Sequence, residues 1–227
     1  MSGARGARVA VYYAPDPSDP LWTAGCAWLG RDPETGAAVP QPDVPGIDEA
    51  TAEPRRYGFH CTLKAPIRLG TSYQALLADA EALAATIKPF DMPSLAVREL
   101  SGFLAVRETA PSPELQALAD ASVAWLDRHR LPLDAAERER RRAHQLSPAS
   151  AALLERWGYP GVFSQWRFHM TLTRRLSAEE HTRFRPEAER FLAEALAGPR
   201  RVDSLCLFTQ AAADAPFLIG DRIPFGA

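Results

Sequence analysis

The sequence is poor in several features that would each assign it a class. Only three cysteines occur among its 227 residues, Cys26, Cys61 and Cys206, and none forms a C-x-x-C pair. An odd, scattered set argues against a disulfide framework and fits a reducing, cytoplasmic setting. No apolar run approaches the roughly 20 residues of a membrane span, and the opening MSGARGARVA has no apolar centre of the secretory kind. Neither charge sign dominates. The 26 Lys and Arg residues against 28 Asp and Glu give a net charge of -2, so no global field recruits long nucleic acid. A glycine-rich phosphate loop and a G-x-S-x-G elbow are also absent.

What is present is a repeated strand. Phe59-His60-Cys61-Thr62-Leu63-Lys64 recurs as Phe168-His169-Met170-Thr171-Leu172-Thr173. Both copies alternate apolar and polar residues, the period of a strand with one buried and one open face. Phe59, Cys61, Leu63, Phe168, Met170 and Leu172 then point into a core. His60, Thr62, Lys64, His169, Thr171 and Thr173 line the other face. A given position shows His-x-Thr-Leu by chance on the order of once in ten thousand at average composition, so two copies in strand context are informative. Neighbouring residues of a strand face opposite ways, so His60 does not activate Cys61, which is expected to fill the core.

The rest of the chain supplies the frame. A strand is expected over Arg8 to Ala14, and a helix capped by Asp19-Pro20 and closed by Gly30. Residues 31–56, rich in Pro and Gly, read as a long loop that either covers the site as a lid or is plain surface. Helices are expected from about Ser72 to Lys88, after the Ser112-Pro113 and Ser147-Pro148 starts, and after the Ser177-x-x-Glu180 capping box, the last interrupted near Pro186. Leu95 to Leu100 and Phe103 to Glu108 read as a hairpin, and Val202 to Gln210 and Pro216 to Ile223 as closing strands. The charged run Asp134 to His144 reads as a solvated helix, with the alternative that Arg138 to Arg142 lend an arginine to a terminal phosphate. His129, His144 and His181 read as surface residues of helices. The order of motif strand, helix, strand, strand thus occurs twice, at about 57–108 and 166–224, within one domain spanning 1–227.

Histidine titrates near neutrality and suits both halves of an acid–base reaction. Two histidines facing each other across a phosphodiester supply one proton acceptor and one donor. Thr62 and Thr171 donate hydroxyls to phosphoryl oxygens, and Lys64 offsets developing negative charge. No carboxylate stands on the open face near either motif, so no metal site and no cofactor is expected. Tyr57 and Trp166 hold equivalent places at the strand entrances, and Arg167 shares the parity of His169.

On these motifs the chain resembles the two-histidine (2H) phosphoesterase superfamily. The likeness goes further with one bacterial branch associated with phosphonate metabolism, whose genes lie beside those of carbon–phosphorus lyase. The stretches that carry the closer likeness are Pro20-Leu21-Trp22 with Ala27-Trp28-Leu29-Gly30, Arg56 to Pro66, Gly102-Phe103-Leu104-Ala105, Arg156 to Pro160, and Arg167 to Thr173. Cys61 departs from the small residue usual there. The resemblance implies an α+β fold of two pseudo-symmetric lobes, each with an antiparallel sheet flanked by helices, around a cleft. It implies His60 and His169 as the catalytic pair, and Thr62 and Thr171 as phosphate binders. Lys64, Tyr57, Arg167 and Thr173 are secondary substrate-binding candidates. The implied activity is metal-independent opening of a cyclic phosphodiester on a small phosphorylated ribose or nucleotide. The alternatives are processing of 2′-5′ or cyclic-phosphate RNA ends, and non-catalytic nucleotide binding.

Overall fold

Alternation in RVAVYY makes Arg8–Tyr13 the strand β1, and its two faces meet different surroundings. Val9, Val11 and Tyr13 enter the large core, while Ala10 and Tyr12 enter a smaller aromatic cluster with Phe208 and Phe217. The computed structural model describes residues 7–142 and 146–226. Helix α1 (Pro20–Leu29) starts where the Asp19 carboxylate accepts from the Leu21 N–H, and it ends on left-handed Gly30. Then come α2 (Ile47–Tyr57), β2 (Cys61–Ile67), α3 (Tyr73–Ala84), β3 (Phe90–Met92), and the hairpin β4 (Leu95–Leu100) and β5 (Phe103–Glu108). They are followed by α4 (Pro113–Leu126), α5 (Ala135–Arg142), α6 (Pro148–Trp157), β6 (Met170–Thr171), α7 (Ala178–Ala197), β7 (Arg200–Val202), β8 (Ser204–Gln210) and β9 (Leu218–Pro224). None of the described helices is long and apolar enough to cross a membrane.

Seven strands form one antiparallel sheet in the order β4-β5-β6-β2-β1-β8-β9, and β3 pairs with β7 in a second, two-stranded sheet. The fold is α+β, with two arms that meet where β2 pairs with β6. The order strand, helix, three strands runs once from β2 to β5 and again from β6 to β9. The hairpins are exchanged in space: β4–β5 flanks β6, whereas β8–β9 flanks β1 and so extends the arm of β2. Each arm therefore draws on both stretches of sequence.

Three expectations need correction. Residues 31–56 are not loop throughout, because α2 occupies the end of that stretch. Its buried residues Ile47, Ala50, Thr51 and Pro54 make a helical stripe, and Asp48, Glu49, Arg55 and Arg56 complement the helix dipole. Pro186 does not interrupt α7, which runs through it. Phe184, Ala188 and Leu192 bury one face there and offset the lost backbone hydrogen bond. The second motif is a strand only at Met170–Thr171, since a 3₁₀ turn at Phe163–Gln165 and extended chain precede it.

Phe59 and Phe168, the residues before the two histidines, are both buried in the core. Gly25 of α1 lies directly on Phe59, and a Cβ at that position would fall 2.3 Å from the ring. Gly25→Ala gains about 1 kcal/mol of helix propensity but overpacks rigid core, which costs about 1–3 kcal/mol. The clash wins, so the variant should unfold at lower urea than the parent with an unchanged slope. A more stable variant would show that α1 slides freely on Phe59.

Candidate active site

The site begins with a register. Cys61 of β2 faces Met170 of β6 in an antiparallel pair, which sets His60 opposite Thr171 and Thr62 opposite His169, one residue to either side. The four polar residues lie on one face of the sheet, and Cys61 and Met170 lie in the core beneath them. Indole hydrogen bonds secure the junction. Trp166 Nε1 donates to the Thr62 carbonyl at 2.8 Å, and Trp28 Nε1 donates to the Leu172 carbonyl at 3.1 Å.

Each histidine is held the same way. Nδ1 of His60 lies 2.8 Å from the Gly58 carbonyl, and Nδ1 of His169 lies 2.7 Å from the Arg167 carbonyl. A carbonyl only accepts, so both Nδ1 atoms carry the hydrogen and both Nε2 atoms are left for chemistry. His60 Nε2 is 3.3 Å from Thr62 Oγ1. Gly58 aims its carbonyl from a backbone at φ 81° and ψ 174°, and a Cβ there would lie 2.6 Å from Pro33. Only glycine meets both demands.

The ring environments differ. Tyr12 stacks on His60 with centroids 3.7 Å apart, and Phe208 stands 5.8 Å away. His169 has Phe103 at 5.9 Å. Burial pushes the His60 pKa down to about 3, opposed by the Gly58 carbonyl and reinforced by His169. Burial also lowers His169, opposed by the Arg167 carbonyl and aided by Arg107. Both rings are thus held toward the neutral form. Burial raises the Cys61 thiol to about 12, which leaves it a core residue without nucleophilic character.

A cavity of about 680 Å³ opens over this face, lined by Tyr12, Tyr57, His60, Thr62, Thr171 and Thr173, with Arg8, Arg174 and Arg175 among its other walls. Tyr57 stacks on Phe217 at 5.4 Å and stands 6.4 Å from His60. Thr173 is buried, and its Oγ1 accepts from the Leu104 N–H at 3.0 Å.

Two secondary candidates point elsewhere. Lys64 does not face the cavity. Tyr12 pairs with Thr62 but Val11 pairs with Lys64, so β2 carries an extra residue at Leu63. The bulge turns Lys64 to the side of Val11, where its Nζ meets Asp127 at 2.9 Å under α4. Arg167 is exposed and donates to the carbonyls of Ser164 and Trp166 at 2.9 and 2.6 Å. Arg138 also stays outside this cavity, bonding the Leu133 carbonyl at 3.0 Å. The side chains of Arg140 to Arg142, and His144, lie outside the described residues. His129 is buried rather than at the surface, between Thr71 and Asp79, and His181 bonds the Gly102 carbonyl at 3.1 Å. Tyr12, Gly58 and Arg8 belong to the site and were not expected there. The only sequence signal for Tyr12 and Arg8 is their shared parity in β1.

A family described as "Protein of unknown function (DUF1045)" matches residues 62–218. Two curated relatives carry the name ribose 1,5-bisphosphate phosphokinase PhnN. That of Janthinobacterium sp. (strain Marseille) is 40% identical, over 96% of this chain and 51% of its own length. That of Laribacter hongkongensis (strain HLHK9) is 36% identical, over 92% of this chain and 50% of its own. The chain thus spans about half the length of the curated relatives it matches. Among solved structures, a phosphoesterase aligns at 13% identity and a TM-score of 0.45, covering 98% of this chain and all (100%) of that one. LigT of E. coli with 3′-AMP aligns at 14% identity and 0.45, with the same coverage. Both likenesses are distant.

The histidines also set a pH dependence. A neutral buried histidine takes no proton until pH nears its lowered pKa, whereas in the unfolded chain it takes one below about 6.5. The unfolded state therefore gains protons first, and stability falls as pH drops from about 6.5 toward about 3 for His60. His60→Gln removes that contribution, so its unfolding midpoint should vary less between pH 7 and pH 5 than the parent's. An equal or steeper dependence in the variant would show that the His60 ring is protonated in the fold.

Proposed function

The chain belongs to the DUF1045 family, and we propose that it is a two-histidine phosphodiesterase that opens a cyclic phosphodiester on a small phosphorylated ribose. The observation that carries this reading is the crossed register of the two His-x-Thr pairs, with both Nδ1 atoms spent on carbonyls. In the proposed reaction a phosphate sits between the Nε2 atoms, and Thr62 and Thr171 donate to its oxygens. Its negative charge raises both histidine pKa values, so that one ring gains the proton that burial denies it. The neutral ring takes a proton from water as the water oxygen bonds to phosphorus. The P–O bond to the sugar breaks on the opposite side, and the protonated ring gives its proton to the leaving oxygen. Cyclic diester and water become a monoester with a free hydroxyl, and the two histidines end with their protonation exchanged.

The relatives' name narrows the sugar. This chain contains no G-x-x-x-x-G-K-[ST] phosphate loop, so the kinase reaction is assigned to the part of those longer proteins beyond the match. A 1,2-cyclic phosphate of 5-phosphoribose, opened at the bond to O2, yields ribose 1,5-bisphosphate. That is the compound their name gives as kinase substrate. We therefore favour this cyclic phosphate.

The test is turnover of 5-phosphoribosyl 1,2-cyclic phosphate in excess EDTA, followed by phosphorus NMR. Ring opening to the 1-phosphate is expected. His60→Ala and His169→Ala should each lower kcat by about 10²–10⁴-fold, the usual worth of one general acid or base. Full turnover in either variant, or activity that appears only with added metal, would sink the reading.

A further inference from the structure

We infer that Arg8 forms a second anion subsite in the cleft, which holds the terminal phosphate of the substrate while the histidine pair holds the phosphate that reacts. For the identity of the reacting phosphate, this rests on the function proposed above. The observations concern how the cations of the cleft are used. Arg174 is spent on carboxylates, meeting Glu49 and Glu180 at 2.9 Å each. Arg175 is exposed on the rim. Arg8 alone among these three is held by neutral groups. Its Nε donates to Gln210 Oε1 at 2.7 Å, and its guanidinium lies over the Phe217 ring, 5.5 Å from the centroid.

The holder is itself fixed. Gln210 is buried, and its Nε2 donates to the carbonyls of Ala215 at 2.7 Å and Ala213 at 3.3 Å, so only Oε1 is left to face Arg8. Among the described residues no carboxylate pairs with Arg8. An arginine oriented by an amide and an aromatic face keeps its positive charge and its outer N–H groups for a ligand. A structural arginine would more economically be neutralised, as Arg130 is by Asp127 and Arg200 by Asp19.

Position fits the role. Arg8 and Tyr12 are four residues apart in β1 and share a face, which separates their Cα atoms by about 13 Å. Tyr12 stacks on His60, so the strand leads from the reacting centre to the arginine. Ala65, Pro66 and Tyr159 line the same cavity. The spacing, shortened by the length of the arginine side chain, suits the two ends of a phosphorylated pentose. Aromatic walls from Tyr12, Tyr57 and Tyr159 would lie along the sugar between the phosphates.

The experiment compares the 1,2-cyclic phosphate of ribose with and without its 5-phosphate. The wild-type protein should prefer the phosphorylated substrate in kcat/KM. In Arg8→Ala the ratio of the two kcat/KM values should fall by about 10–100-fold, the worth of a charge-assisted hydrogen-bond pair. Arg8→Lys should recover part of it, since charge returns without the fork. Damage to folding or to the histidines lowers both substrates together and leaves the ratio in place. A second arm measures binding of ribose 5-phosphate against ribose to the parent and to Arg8→Ala by calorimetry, with no turnover. It stands even when neither cyclic substrate reacts, and the function proposed above then fails without the subsite. An unchanged ratio and unchanged binding selectivity in Arg8→Ala overturn the subsite.

Discussion

The whole arrangement hangs on one short contact, the antiparallel pairing of Cys61 with Met170. The strand β6 is two residues long, so little backbone joins the two arms. Short ladders are weak by themselves. What holds the register is what surrounds it: Phe59 and Phe168 beneath, and Trp166 and Trp28 bonding carbonyls on either side. A slip of one residue would exchange the core and cleft faces and bury the histidines among the phenylalanines. The buried apolar residues on alternate positions make that slip costly, so packing energy in the core is converted into placement of polar groups on the far face.

Placement then sets protonation. Both rings give Nδ1 to a carbonyl two residues upstream, and both are driven toward the neutral form by burial. Both rings are therefore proton acceptors as they stand. In the reaction proposed above, the charge of the bound phosphate would supply the missing proton affinity and so couple binding to readiness for reaction. The environment breaks the near-symmetry of the pair, because Tyr12 covers His60 face to face while Phe103 meets His169 at a tilt.

Much of this was legible in the sequence, and the failures have specific causes. Alternation in the repeated hexapeptide identified the inward residues Phe59, Cys61, Leu63, Phe168, Met170 and Leu172, all buried. Caps read from Asp19, Ser112, Ser147 and Ser177 stand at the starts of their helices. Parity failed at Lys64, because strict alternation assumes an unbroken ladder and the bulge at Leu63 breaks it. Helix α2 was hidden by the prolines around and within it, although Ile47, Ala50, Thr51 and Pro54 already had helical spacing. Arg8 and Gln210 sit at opposite ends of the chain, and only the β1–β8 pairing makes them neighbours. No local pattern encodes that.

The bulge carries a consequence for how such a cleft changes over generations. Leu63 is the surplus residue, and Lys64 beyond it pairs with Val11 and turns toward Asp127. Losing that codon would make the lysine the direct neighbour of Thr62, and neighbours on a plain pleat face opposite sides, so it would stay opposite Val11 and out of the cavity. The cleft can therefore lose its bulge without gaining a charge, and a lineage that meets a more anionic substrate has to draw its cation from another position.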